Sequence, residues 1–162
     1  AINESAVDFD EECIDKILDV NLKGTILMCQ CVGKIMIKQR SGKIVNFGSI
    51  AGHMNHLLDS MPYEASKAGV HQVTRTFAAE LAPYGINVNA IAPTWIRTKM
   101  VAGKPKAYYD NVNKATPLGR FAEPGELVGP ALFLSTDASN FITGHILFVD
   151  GGWSISKAFI YK

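Results

Sequence analysis

The chain has 162 residues, of which 48% are hydrophobic and 19% are charged, and its formal net charge is +1. This length and composition are typical of one globular domain with a sizeable core, and they exclude a disordered tail. Basic and acidic residues, 16 and 15 in number, are interspersed, so no field attracts nucleic acid or an anionic membrane. The apolar run LVGPALFL is too short to cross a bilayer, and no signal-peptide pattern opens the chain. We therefore predict a cytoplasmic protein without a nucleic-acid or membrane partner.

The first predicted element is a long helix between Asp8 and Arg40, because apolar residues recur there at helical spacing. Asp8 and Glu11 have the spacing of a capping box, and Ser41-Gly42 is expected to end the helix. Asn21 interrupts the apolar side of this helix. A buried amide needs hydrogen-bond partners, so we expect a kink or a bound water there, with a partly exposed polar position as the alternative.

A β-α-β unit is predicted next. The run KIVNFG is typical of a buried strand, PYEASKAGVHQVTRTFAAELA of a helix with Pro62 in its first turn, and INVNAIA of a second strand. The two strands should be parallel and adjacent. Ser49 follows the first strand, so its hydroxyl would lie at the carboxyl edge of the sheet, where open α/β sheets bind ligands.

Tyr63 and Lys67 lie four residues apart on the predicted helix and therefore share a face. An adjacent ammonium stabilises a phenolate, which makes the pair a candidate proton donor and acceptor. The alternative is a solvated lysine beside a half-buried tyrosine, which helices often contain. A serine hydrolase built on Ser49 is disfavoured, because FGSIAG departs from the G-x-S-x-G elbow at both outer glycines.

The remaining chain predicts a loop, a lid, a short helix and a last strand. The loop PTWIRTKM leaves the second strand at the same edge as Ser49, and residues 99–121 show little periodicity, which is typical of a binding lid. PGELVGPALFLST predicts a short helix capped by Glu123 and Glu126, and HILFVDGG predicts the strand. Four cations in or next to the lid, called the lid cations below, could attract an anionic substrate, although solvated side chains are the simpler interpretation. They are Arg97, Lys99, Lys104 and Lys106.

Neither a disulfide framework nor a metal site is predicted. The three cysteines are odd in number, and Cys29 and Cys31 would point to different sides of a helix. His53 and His56 lie in a loop without a third ligand at a useful spacing.

Five ordered motifs, DVNLKG, VNFGSIAG, PYEASKAG, GINVNAIAP and FLSTDASNFITGHILFVDGG, resemble those of the short-chain dehydrogenase/reductase family. The resemblance implies a Rossmann-type, doubly wound parallel α/β sheet, and residues 1–162 would form part of that single domain. It also implies an NAD- or NADP-dependent enzyme that interconverts a secondary alcohol and a ketone. The long helix and the Tyr63 helix resemble the pair that forms interfaces in this family, so we expect a homo-oligomer, a dimer or tetramer.

The same resemblance assigns roles to a tetrad of residues. Tyr63 would be the general acid and base, Lys67 would assist it and bind the nicotinamide ribose, and Ser49 would hydrogen-bond the substrate oxygen. Asn21 would fix the helix kink and a water that links Lys67 to solvent. The positions that match cofactor contacts are Tyr63, Lys67, Pro93, Ile96 and Thr98.

Three departures from the family pattern are visible. Ser49 and Tyr63 are fourteen residues apart, near the long end of the usual spacing, and Thr94 replaces a common glycine, so its backbone must avoid a glycine-only conformation. The third departure is that the Gly-rich turn, which lies in the first half of the family's fold, does not occur in this sequence. We therefore expect a segment of a longer polypeptide, with roughly 80 to 100 further residues in about three β-α units.

The substrate stays open between two enzyme types. The ending of the chain is most similar to that of gluconate 5-dehydrogenases, which interconvert a sugar acid and its keto form. A 3-oxoacyl-carrier-protein reductase is the alternative. From another class, a non-catalytic fragment or structural subunit could retain the association surfaces of the fold.

Overall fold

The computed structural model describes residues 5–55 and 59–159, with side chains up to residue 156. The helices are α1 (Glu11–Leu18), α2 (Gly24–Gln39), α3 (Met61–Leu81), α4 (Lys106–Ala115) and α5 (Val128–Ser135). The strands are β1 (Gly42–Phe47), β2 (Ile86–Pro93) and β3 (Ile146–Val149). They form one parallel sheet in the order β1-β2-β3, which confirms the predicted parallel α/β architecture.

The central unit is the predicted β1-α3-β2 crossover. Pro62 lies in the first turn of α3, where its missing N–H costs no helical hydrogen bond. The chain turns back after Leu81 through Gly85, whose φ of 75° is a conformation that favours glycine. Because Phe47 pairs with Ile91 in the parallel register, the carboxyl ends of β1 and β2 lie side by side.

The core is centred on β2, which has a strand on either side. Val88 and Ile91 are fully buried, and each such side chain contributes about 1.5–3 kcal/mol relative to an exposed one. Asn89 is also fully buried, but its amide donates to the Ile142 carbonyl at 2.9 Å and accepts the His145 N–H at 3.0 Å. The polar side chain therefore ties the approach to β3 onto the central strand.

The long first helix differs from our prediction at its beginning. Asp8 donates its backbone N–H to the Ser5 carbonyl in a turn, and α1 begins at Glu11 with Asp10 as the N-cap residue. No side chain caps this end, so the predicted Asp8–Glu11 capping box is wrong. Asp8 belongs to a turn that closes before the helix starts, which removes it from the capping position.

The middle of the same helix confirms the predicted irregularity. Asn21 lies in a π-helical segment, Asp19–Lys23, that joins α1 to α2. Such one-turn π segments often occur at functional sites. At the far end, Arg40 takes the left-handed conformation with φ 56° and ends α2 one residue before Ser41.

Within the described chain, Glu11–Gln39 is the one helical run long and apolar enough to cross a membrane by length and composition. Core helices of soluble proteins pass the same test. Here α2 packs as a layer against the β-α-β unit. Cys29 is buried in a cluster with Ile44 and Leu81, and a Cβ at Gly33 would lie 3.5 Å from the Leu81 side chain.

Residues 99–121 contain α4, so the prediction that this stretch has no clear element is wrong. Tyr108, Tyr109 and Val112 form a short apolar stripe at helical spacing, which the surrounding lysines and asparagines obscure in the sequence. The stripe joins a cluster at the carboxyl side of β2, formed by Trp95, Val101, Tyr108, Tyr109, Val112, Phe121 and Trp153.

The predicted cap of the following helix is confirmed. Glu123 and Glu126 form a reciprocal capping box on the turn Pro124–Leu127, which leads into α5. Arg120 donates to both carboxylate oxygens of Glu126, at 2.6 and 2.8 Å. These exposed contacts fix the point at which the lid rejoins the sheet.

Candidate active site

The predicted site residues converge on the carboxyl edge of β1 and β2, where the first turns of α3 lie. Tyr63 and Lys67 occupy one face of α3, and the Lys67 Nζ atom lies 5.8 Å from the centre of the Tyr63 ring. At this distance the ammonium interacts favourably with the ring. The two groups are therefore placed to act as a pair.

Lys67 is fixed by the strand that precedes Ser49. Its Nζ atom donates to the Phe47 carbonyl at 2.9 Å, at the very end of β1. Burial lowers the pKa of Lys67 from its ordinary value. No carboxylate lies within ion-pair distance of Lys67 in the described part of the chain. An ammonium has three N–H donors, so two remain for a ligand.

Ser49 is buried, with 7% of its surface exposed, two residues beyond β1. Its hydroxyl oxygen accepts the Ala51 N–H at 3.2 Å and so caps the turn Ile50–Gly52. The adjacent Gly48 donates its N–H to the Ile91 carbonyl at 2.9 Å, which anchors the loop to β2. The Ser49 O–H has no acceptor among the described residues and can donate to a substrate oxygen.

Asn21 reaches the site through Ser66. Its amide donates to the Ser66 hydroxyl at 3.1 Å, and that hydroxyl donates to the Tyr63 carbonyl at 2.7 Å. The backbone carbonyl of Asn21 accepts a hydrogen bond from the Thr25 hydroxyl at 2.7 Å. The helix irregularity thus connects to the backbone of Tyr63, through a serine that sequence reasoning missed.

His71 is the second residue that sequence reasoning missed, although it lies four positions after Lys67 on the same helix. It is 3% exposed, and its Nε2 atom accepts the Ser49 N–H at 3.5 Å. Burial lowers the pKa of His71 to about 4, assisted by the positive charge of Arg75, by His53 and by Lys67. The imidazole is therefore neutral near pH 7.

The residues predicted to contact the cofactor lie at the same edge. Pro93 ends β2 opposite Val149 of β3, Ile96 forms a bridge with Ala122, and Thr98 is exposed. The Thr94 backbone avoids positive φ, as predicted for this replacement of glycine. Pro93 thus lies at the carboxyl edge of the sheet, and Ile96 and Thr98 follow it in the loop that leaves this edge.

The chemistry of this edge fits the nicotinamide end of a dinucleotide. Lys67 offers free N–H donors suited to ribose hydroxyls, and the buried Thr94 Oγ1 atom has no hydrogen-bond partner. A buried hydroxyl without a partner costs stability unless a ligand or water completes it. The two observations together support a polar ligand at this edge.

Two of the four lid cations are already neutralised. Arg97 pairs with Glu123 at 2.9 Å, and Lys106 pairs with Asp110 at 2.5 Å. Lys104 lies 5.8 Å from the Tyr108 ring. The structure therefore favours solvated and paired lid cations over a basic patch built for an anion.

No group of three His, Cys, Asp or Glu residues within residues 5–55 and 59–159 could hold a metal ion. His53 packs its ring against Phe148 at 4.8 Å, while His56 lies outside the described residues. Cys29 is buried and Cys31 is exposed, which confirms that they face different sides of the helix.

The chain is similar to known proteins over most of its length. A family model described as Enoyl-(Acyl carrier protein) reductase matches residues 1–154. The chain is 46% identical over 160 residues to the NAD-dependent glycerol dehydrogenase of Listeria innocua, with 96% of this chain and 61% of the relative covered. It is 43% identical over 142 residues to the 3-oxoacyl-(acyl-carrier-protein) reductase FabG of Thermotoga maritima, covering 88% of this chain and 57% of the relative.

A solved structure is also similar to this chain. The gluconate 5-dehydrogenase from Burkholderia cenocepacia, in complex with NADP and tartrate, superposes with a TM-score of 0.90 at 34% identity, covering 94% of this chain and 60% of that one. This likeness confirms the predicted Rossmann-type fold class. The chain spans about three fifths of the length of the curated relatives it matches.

Proposed function

The chain belongs to the short-chain dehydrogenase/reductase family, and we propose that the protein interconverts a secondary alcohol and a ketone with NAD or NADP. The observation that carries this proposal is the placement of Tyr63 and Lys67 on one face of α3, next to the Ser49 loop. The nicotinamide cofactor supplies the acceptor or donor of the hydride when it is bound.

The protein's own residues then manage the proton. In oxidation, the Tyr63 phenolate oxygen takes the proton of the substrate hydroxyl as the hydride leaves the carbinol carbon. In reduction, the Tyr63 O–H returns that proton to the forming alkoxide. The Ser49 O–H donates to the same substrate oxygen and holds it in place, while the Lys67 ammonium stabilises the phenolate and binds ribose hydroxyls with its free N–H donors.

Asn21 acts on this site from a distance. Its bonds to Ser66, and through Ser66 to the Tyr63 carbonyl, hold the π-helical segment against the start of α3. We propose that a water held beside this segment links Lys67 to solvent.

For the substrate we propose a sugar acid such as gluconate and its 5-keto form. The likeness to the Burkholderia gluconate 5-dehydrogenase and the closing motif of the chain support it. The alternative, a 3-oxoacyl-carrier-protein reductase, is supported by the likeness to the Thermotoga enzyme. A serine hydrolase is disfavoured further, because His71 accepts the backbone N–H of Ser49 and does not hydrogen-bond its hydroxyl.

The setting of the enzyme is also part of the proposal. Residues 1–162 would be the catalytic part of one domain, with residues 99–121 as its substrate lid, in a cytoplasmic homo-oligomer. An exposed apolar stripe on the first helical layer supports association, formed by Val20, Leu27, Met28 and Ile35. Light scattering on the purified protein measures the number of subunits.

The test uses the protein in its full natural length. Reduced nicotinamide absorbance is followed with gluconate, 5-ketogluconate, glycerol and a 3-oxoacyl thioester. Tyr63→Phe should lower kcat by roughly 10²-fold or more, the usual share of general acid–base catalysis. Tyr84→Phe is the matched control, because Tyr84 lies beside Arg40 before β2, away from the Ser49 edge.

Unchanged turnover in Tyr63→Phe would show that the acid–base assignment is wrong. Failure of the full-length protein to bind either cofactor would favour the non-catalytic structural subunit. Turnover confined to the thioester would replace the sugar-acid substrate by the acyl-carrier alternative.

A further inference from the structure

The loop that carries Ser49 is pressed onto α3 at two points. A Cβ atom at Gly48 would lie 2.4 Å from His71 Nε2, and one at Gly52 would lie 2.5 Å from the Lys67 carbonyl carbon. Any larger residue at either position would force the loop away from the helix. The segment Gly48–Gly52 is therefore fitted to the side chain of His71 and to the backbone of Lys67.

His71 makes a polar contact with the start of this loop. Its Nε2 atom accepts the Ser49 N–H at 3.5 Å. A neutral imidazole carries one acceptor nitrogen, which this N–H occupies, and one donor nitrogen. An aliphatic side chain of similar size could fill the space but would leave the Ser49 N–H buried without a partner.

We propose that His71 is a positioning residue for the proposed dehydrogenase reaction, which holds the Ser49 loop so that the serine hydroxyl reaches the substrate oxygen. The inference rests on the proposed function. The imidazole does not itself touch the reacting atoms. It acts through the backbone of Ser49, whose φ and ψ set the direction of the hydroxyl-bearing Cα–Cβ bond.

Two substitutions perturb this contact independently. His71→Leu removes the acceptor, and Gly48→Ala pushes a methyl group against the ring. Each should lower kcat by about 5- to 10-fold, the effect of one lost or misaligned hydrogen bond in the transition state. His71→Gln, which keeps an acceptor and a donor, should restore most of the activity, and His145→Gln is the control because His145 is exposed.

A double-mutant cycle with Ser49→Ala separates positioning from general damage. Single-turnover rates are measured with the full-length protein at enzyme concentrations high enough to detect slow reactions. If His71 acts through Ser49, then His71→Leu and Gly48→Ala have little further effect in the Ser49→Ala background. The KM for the cofactor should stay within about twofold in every variant, since the Lys67 contacts remain.

Equal losses in the presence and absence of the Ser49 hydroxyl would overturn the proposal, as would an unchanged kcat in His71→Leu. If His71→Leu does not fold, the cycle with Gly48→Ala gives the same decision. The outcome differs from failure of the proposed function. If the proposed function is wrong, Tyr63→Phe retains full turnover; if only the present inference is wrong, Tyr63→Phe loses roughly 10²-fold in kcat and the coupling between His71 and Ser49 is missing.

Discussion

Acidification should destabilise this protein through His71. The ring is 3% exposed and neutral, and its pKa is lowered to about 4 from an ordinary 6.5. Because the unfolded chain binds this proton more readily than the folded one, stability is complete above pH 6.5 and is lost as the pH falls through about 4. A difference of about 2.5 pKa units at 1.36 kcal/mol each gives at most about 3 kcal/mol over this window.

The assay is urea unfolding of the full-length protein at about pH 7 and about pH 4.5, compared with His71→Gln, which cannot titrate. The wild type should lose roughly 2 kcal/mol more than His71→Gln over this interval. His145→Gln should behave like the wild type, because that side chain is exposed. Parallel pH profiles for the wild type and His71→Gln would refute the claim that the buried imidazole stays neutral.

Two further substitutions test the polar contacts of the site. Asn21→Ala removes the bond to Ser66 and should cost about 1 kcal/mol of unfolding free energy and lower kcat. Thermal unfolding and turnover are compared with those of the exposed control Asn111→Ala. Equal effects of the two substitutions would contradict the prediction. Thr94→Val removes a buried hydroxyl without a partner, so it should stabilise the cofactor-free protein by about 1 kcal/mol. The same substitution should weaken binding of the nicotinamide cofactor, measured by calorimetry. An unchanged affinity would show that this hydroxyl does not face the cofactor.

The sequence was informative where local patterns were long and continuous. The β1-α3-β2 unit follows from two apolar runs, a helical period and the position of Pro62. The lid helix α4 could not be found in the same way. Its apolar stripe has three residues, and it becomes stable only by packing on Trp95 and Phe121 from elsewhere in the chain.

Only some residues of the candidate site could be predicted from local sequence patterns. Tyr63, Lys67 and Ser49 could be placed at one edge from spacing and from the rule that parallel strands end together. Ser66 and His71 could not be assigned a role from pattern alone. Their partners lie 45 and 22 residues away in sequence and come near only through the packing of α3 on the first helix and on the Ser49 loop.

The polar residues buried along α3 make physical sense only together. A helix that packs against a sheet gains most by burying apolar side chains, yet α3 buries Ser66, His71 and Thr74. Each is costly unless it is hydrogen-bonded, and each bonds a group on another element or its own backbone. Ser66 fixes the Asn21 segment, His71 the Ser49 loop, and Thr74 the interior of β1 through Asn46. The helix thus gives up some hydrophobic stabilisation and gains a fixed geometry around Tyr63 and Lys67. Proton transfer between the Tyr63 hydroxyl and a substrate oxygen requires such a fixed geometry.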